Sequence, residues 1–164
     1  PMQWSKERNG GFTTAEKAVI PVISKGPFSC EHVNVEEQRR DGNSLLNWTV
    51  RMIRLRKECP EIGWGDMTVL PSGSPHVLVL CYEWRGNAIV VVHNFSNLPQ
   101  EARFRVKIEG GELLANLIQN EEQNAGDDGV HHVALESYGY KWYRVGGMSY
   151  ALRATRDSGA GVRW

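Results

Sequence analysis

The spacing of apolar positions along this chain changes once, near Gly65. Upstream, Leu45, Trp48, Met52, Leu55 and Cys59 follow one another at steps of three and four, which lays them along one side of an α-helix. Asp41-Gly42-Asn43-Ser44 offers N-cap candidates just before them. Arg51, Arg54, Arg56 and Lys57 put cations toward the C-terminal half, where the helix macrodipole favours positive charge. Pro60 and then Gly63 are expected to end the element, so the pattern predicts a helix over 44–58. Residues 1–34 show neither period. They are rich in Gly, Pro, Ser, Thr and Asn and read as one long loop. Such a loop is uncommon inside a compact domain unless it serves binding or catalysis.

Downstream of Gly65 the period is two. Val77, Val79 and Cys81 alternate with Leu78, Leu80, Tyr82 and Trp84, which predicts a strand apolar on both faces and therefore central. Arg85-Gly86-Asn87 is expected to turn the chain into a second strand, Ala88 to His93. Over 101–108, Ala102, Phe104, Val106 and Ile108 face one way and Arg103, Arg105 and Lys107 the other, giving one buried and one wet face. Further strands fit 112–118, 130–136 and 139–145, with a polar loop from Gln119 to Gly129. Short strands punctuated in this way predict a mainly β fold, an antiparallel β-sandwich over 66–146. The tail, 147–164, is expected to be poorly ordered.

Length and composition limit what else the chain does. With 164 residues it is too short for a complete (β/α)8 barrel, which needs about 250. The 19 basic and 19 acidic residues balance, which argues against nucleic acid as a partner. The longest apolar run, Ala88 to Val92, is far below the roughly 18 residues of a membrane span, and no basic region followed by an apolar stretch opens the chain. Neither a membrane location nor secretion is expected. Cys30, Cys59 and Cys81 make an odd count at wide spacing, which fits packed thiols in the cytoplasm better than a disulfide framework. The opening Pro1-Met2 carries the expectation that the natural start lies upstream. The first segment cannot cover its own helical stripe, although each such side chain is worth about 1.5 to 3 kcal/mol when buried. Another surface is expected to cover it, and without one Leu45, Trp48, Met52 and Leu55 are expected to drive self-association.

Several motifs occur together in one order. Pro1-Met2-Gln3-Trp4-Ser5 with Asn9-Gly10-Gly11-Phe12-Thr13 resembles the loop after the eighth barrel strand in α-glucosidases and trehalose synthases of the α-amylase family. Val33 to Gln38, Ser44 to Trp48 and Ile53 to Lys57 follow in the family's order and similar spacing, and Tyr138 to Tyr143 resembles the last strand of its C-terminal β domain. The resemblance covers about 1–145. It implies that 1–62 are the last loop and helix of a truncated (β/α)8 barrel and that 66–146 are the β domain following it. It also implies a retaining mechanism on small α-glucosides in the full-length enzyme, with one carboxylate attacking the anomeric carbon and a carboxylic acid protonating the leaving oxygen. In the family these carboxylates precede the Pro-Met-Gln-Trp motif, so no catalytic residue is expected within this chain, and no metal or cofactor. Trp4 and Phe12 are candidates for stacking on a sugar, as is Trp64. Gln3, Arg8 and Asn9 are candidates for hydrogen bonds to sugar hydroxyls.

Other chemistry-bearing residues have plainer readings. Glu36 and Glu37 point about 100° apart on a helix and suit a solvated face better than an acid and nucleophile pair. His131 and His132 alternate across a strand and cannot ligate one metal from the same face without a bend. Ser5, Ser44 and Ser96 suit caps or turns. Asn47-Trp48-Thr49 and Asn94-Phe95-Ser96 match the glycosylation acceptor pattern without a secretory signal beside them. Gly159-Ala160-Gly161 lacks the strand and helix of a phosphate loop. Three functions compete: a fragment of an α-glucoside-active enzyme, a stand-alone carbohydrate-binding or interaction module, and a structural domain capping the barrel. An exposed aromatic row, through Tyr82 and Trp84 or Tyr140 and Trp142, would favour the module.

Overall fold

The computed structural model describes residues 1–119 and 121–147, so the tail expectation falls, from residue 148 on, outside the described residues. The chain divides into two compact units, Pro1–Lys57 and a second beginning at Glu58.

In the first unit the long loop carries a 3-10 turn at Arg8–Gly11 and leads into α1 (Val35–Arg40) and α2 (Leu45–Lys57). Asn34 caps α1 by accepting from the Glu37 amide at 2.9 Å, while its own amide donates to the Cys30 carbonyl at 2.9 Å. Ser44 caps α2, accepting from the Asn47 amide, and its hydroxyl donates to the Gln38 carbonyl at 2.6 Å. The Asn47 side chain donates to the carbonyls of Gln38 and Asp41 and so ties the corner between the helices. Residue 58 lies just outside the helix, and Gly63 does not terminate it. Pro60 precedes and Gly63 lies within a separate short helix, α3 (Glu61–Trp64), in the second unit. No residue of α2 is buried: Leu45 is 70% and Trp48 37% exposed, with Met52 and Leu55 half-buried.

The second unit is a sandwich of antiparallel pairs. Its strands are β1 (Asp66–Leu70), β2 (Val77–Trp84), β3 (Asn87–Asn94), β4 (Gln100–Phe104), β5 (Leu113–Asn116), β6 (Glu122–Asn124), β7 (His131–Leu135) and β8 (Tyr140–Val145). One sheet has the order β1-β2-β3-β8-β5-β6, and β4 pairs with β7 in the other. Val77, Val79 and Cys81 of β2, Ala88, Val90 and Val92 of β3, Leu114 of β5, and Tyr143 and Val145 of β8 make one inner face. Ala102 and Phe104 of β4 with Val133 and Leu135 of β7 make the other.

Four expectations need correction. The strand buried on both faces is β3, whose Ile89 and Val91 are buried on the side opposite the core. The second face of β2 is only half-buried at Leu78, Leu80, Tyr82 and Trp84, because β2 lies next to the edge strand β1. The β2–β3 turn is two residues, Arg85 and Gly86, both at positive φ (49° and 75°), with Asn87 already paired to Trp84. That is the handedness a two-residue hairpin requires, and glycine meets it without a Cβ penalty. Strand β4 stops at Phe104, where the register with β7 ends, although Val106 and Ile108 still pack against the core as their alternation predicts. The loop over 119–129 contains a strand: β6 pairs with β5 despite having no apolar residue.

On the outer side of the large sheet, α3 supplies the buried Glu61, whose carboxylate pairs with Arg144 of β8 at 2.9 Å. Cys59 lies in the same place. Burial, opposed by Arg144, pushes its thiol up to about 11, and burial does the same to Cys81. Both thiols are protonated at neutral pH and poor nucleophiles.

Candidate functional site

The loop that opens the chain is built around three successive left-handed residues, Asn9, Gly10 and Gly11, at φ of 58°, 63° and 68°. A Cβ on Gly11 would stand 2.6 Å from the Ser5 hydroxyl oxygen, which can rotate away, so it is the left-handed backbone angle that favours glycine at this position. The turn aims the Gly10 carbonyl at the amides of Trp4 and Ser5, at 2.7 and 3.1 Å. The segment thus held is stitched on its other side: Val35 and Glu36 donate their amides to the carbonyls of Gln3 and Trp4.

Side chains complete the loop. Gln3 donates its amide to the carbonyls of Phe28 at 3.1 Å and Val33 at 2.6 Å, closing a span of 30 residues, and its oxygen is buried without a partner. Asn9 donates to the carbonyl of Ala15 at 2.8 Å, and Arg8 donates to that of Thr14 at 3.2 Å. The polar candidates Gln3, Arg8 and Asn9 therefore all hold main chain. Trp4 and Phe12 present about half of their surface to solvent, at 46% and 52%. Arg8 and Phe12 line one open recess of about 540 Å³ together with Glu7, Gly11, Thr13 and Thr14. Gln3 lines another, about 400 Å³ and largely apolar, with Met2, Val22, Ile23 and Leu46. Glu7 and Thr14 were invisible to sequence reasoning because nothing in their spacing sets them apart from other polar loop residues, and Thr13, although part of the loop motif, carried no assigned role.

The remaining candidates are placed elsewhere. Glu36 and Glu37 both pair with Arg40, and Lys6 reaches Glu37 at 3.3 Å, so their carboxylates sit in a surface ion cluster. His131 is buried, stacked on Phe104, with Nε2 2.7 Å from the Gly111 carbonyl; since a carbonyl only accepts, the ring proton sits on Nε2. His132, on the opposite face, is exposed at 3.3 Å from Glu101. Hydrogen bonding from Arg103, then from His132, holds the Glu101 carboxyl below its ordinary range. The Asn94 side chain is buried and donates to the carbonyls of Leu98 and Glu136. Tyr82, Trp84, Tyr140 and Trp142 are all half-buried on the outer side of the large sheet, Arg85 lies over the Trp84 ring at 4.5 Å, and Trp64 is exposed at the end of α3.

Family models match both units. The α-amylase catalytic domain matches residues 1–65, and the C-terminal domain of sucrose hydrolase-like proteins matches 86–144. The chain belongs to the α-amylase family. Trehalose synthase of Pimelobacter is 31% identical over 88% of this α-amylase-family chain and 26% of its own length. Trehalose synthase of Thermus thermophilus is 39% identical over 61% of the chain and 11% of its own length. Trehalose-6-phosphate hydrolase of Escherichia coli is 36% identical over 58% of the chain and 16% of its own. Among solved structures, trehalulose synthase MutB superposes with a TM-score of 0.66 at 25% identity, over 88% of this chain and 25% of that protein. The chain thus spans about a quarter, or less, of the length of these family members.

Proposed function

We propose that residues 1–62 are the closing loop and helix of the barrel of an enzyme that hydrolyses or isomerises small α-glucosides by a retaining mechanism, and that residues 66–146 form its structural β domain. The observation that carries this reading is the order of the two family matches, the catalytic domain on 1–65 and the C-terminal domain on 86–144. In that enzyme the half-exposed rings of Trp4 and Phe12 stack on the sugar. Arg8, with donors beyond its bond to Thr14, reaches its hydroxyls, while Gln3 and Asn9 keep the loop in the shape that presents the rings. The half-covered outer aromatics of the β domain support a structural role for it over a sugar-binding one. Three buried, unpaired thiols support a cytoplasmic location.

The direct test is a chimera in which the part of the Thermus thermophilus trehalose synthase that precedes its matched region is joined to this chain. It is expected to turn over maltose, trehalose or a chromogenic α-glucoside, and Trp4→Ala or Phe12→Ala is expected to raise KM. A folded chimera with no turnover of any of the three would sink the reading.

The same reading assigns the incompletely covered stripe on α2, exposed at Leu45 and Trp48 and half-buried at Met52 and Leu55, to the remainder of the barrel. By itself the chain is expected to self-associate through Leu45, Trp48, Met52 and Leu55, and Trp48→Glu should return it to monomer while leaving the β-sheet circular dichroism unchanged. Sedimentation velocity decides this: a wild-type chain that stays monomeric at high concentration and binds no hydrophobic dye contradicts it.

A further inference from the structure

Helix α1 is short enough for its first turn to decide whether it forms. It has six residues and none is buried, and a helix below about 12 residues is marginal in water without packing. The opening amides of an α-helix find no partner inside it. In α1 the Glu37 amide goes to the Asn34 side chain at 2.9 Å, while those of Val35 and Glu36 go outside the helix, to the carbonyls of Gln3 at 2.9 Å and Trp4 at 3.0 Å. Asn34 is 2% exposed and bonded at both ends of its side chain, since its amide donates to the Cys30 carbonyl. Its orientation is fixed.

The two outward bonds fall on the two peptide groups that flank Trp4. The group joining residues 3 and 4 accepts from Val35 and donates the Trp4 amide to the Gly10 carbonyl. The group joining residues 4 and 5 accepts from Glu36 and donates the Ser5 amide to the same carbonyl. Each peptide plane is thus gripped on both sides, which sets the direction in which the Trp4 side chain leaves the main chain. One side of the grip is Gly10. The other is α1, whose Glu37 also reaches Lys6 at 3.3 Å.

We propose that Asn34 is a positioning residue for Trp4: by capping α1 it keeps the Val35 and Glu36 amides aimed at the peptide groups that orient the ring. That the ring stacks on a sugar rests on the function proposed above. The positioning does not.

The test uses the full chain labelled with fluorotryptophan, the Trp4 resonance in fluorine NMR being identified by its loss in Trp4→Phe. Asn34→Ala is expected to shift or broaden that resonance and to leave those of Trp64, Trp84 and Trp142, in the second unit, in place. Asn34→Ser, which keeps an acceptor suited to the cap, should move it back toward the wild-type position. Val35→Pro separates the clamp from the helix. Proline is tolerated at the first helical position, and Asn34 before it is already extended, at φ −149° and ψ 160°, so α1 and its cap survive while the donor to Gln3 is lost. This variant should displace the Trp4 resonance as well. In an active chimera Asn34→Ala should raise KM about fivefold, a typical effect of losing an N-cap, and keep kcat within about twofold, because stacking holds substrate and transition state alike. A Trp4 resonance unmoved by Asn34→Ala or by Val35→Pro overturns the proposal, as does a serine variant no better than alanine, or a fall in kcat at unchanged KM. If Asn34→Ala unfolds the first unit, Val35→Pro decides alone. A chimera that never turns over sinks the sugar reading and leaves the resonance test intact.

Discussion

Purified chain incubated with maltose, trehalose and a chromogenic α-glucoside is expected to release no glucose, no interconverted disaccharide and no chromophore. Enzymes lower such barriers by about 8 to 23 kcal/mol, and a retaining glycosidase draws much of this from two carboxyl groups about 5 to 5.5 Å apart across the scissile bond. The recess that holds Arg8 and Phe12 is lined by one carboxylate, Glu7. Glu36 and Glu37, the adjacent pair, are tied to Arg40 and Lys6 on the surface. Rings that stack on a sugar stabilise substrate and transition state alike, and so leave the chemical step where it was. Turnover that survives purification and disappears on replacing Glu7, Glu36, Glu37 or Asp41 would reveal a catalytic carboxylate in this chain. With an active chimera, a silent chain would place the missing chemistry in the supplied barrel.

Replacing Arg144 by leucine is expected to destabilise the β domain by about 3 to 5 kcal/mol, the cost of leaving one member of a buried pair alone. The Glu61 side chain is 3% exposed and that of Arg144 12%, so water does little to screen or rescue the charge left behind. The second Glu61 oxygen is already buried without a partner, which leaves Arg144 as the group that answers its charge. Leucine at both positions removes the uncompensated charge, and the double variant should recover most of the loss. Urea unfolding followed by β-sheet circular dichroism measures both. A single-variant loss under 1 kcal/mol, or a double variant no better than the single, would show that the pair is solvated in solution.

Much of the β domain was legible before its structure. Alternation assigned Ala102 and Phe104 to the inner face and put His131 and His132 on opposite faces, both correctly, because period two is a property of the strand itself. The helix over 45–57 and its Ser44 cap follow from local spacing for the same reason. For the loop, the motif order carried the family, and the left-handed run Asn9-Gly10-Gly11 explains why those residue types stand there. The roles of Gln3 and Asn9 were not legible. An amide that reaches a sugar and one that reaches a carbonyl 30 residues away look the same in sequence.

What the sequence by itself determined is the angular relation of neighbours within the elements it marked: the stripe on α2, the two faces of β4, a turn after Trp84, and the change of period near Gly65. Only the tertiary structure decided what each face meets. It put β3, and not β2, at the position covered on both sides, recruited the apolar-free β6 as a partner for β5, and brought Glu61 to Arg144 across 83 positions. The physical reason is that periodicity is set by backbone geometry over a few residues, whereas pairing and burial depend on how distant segments close on one another. Many closures are compatible with the same local pattern, and the one adopted is selected by the sum of packing, hydrogen bonding and charge over the whole unit.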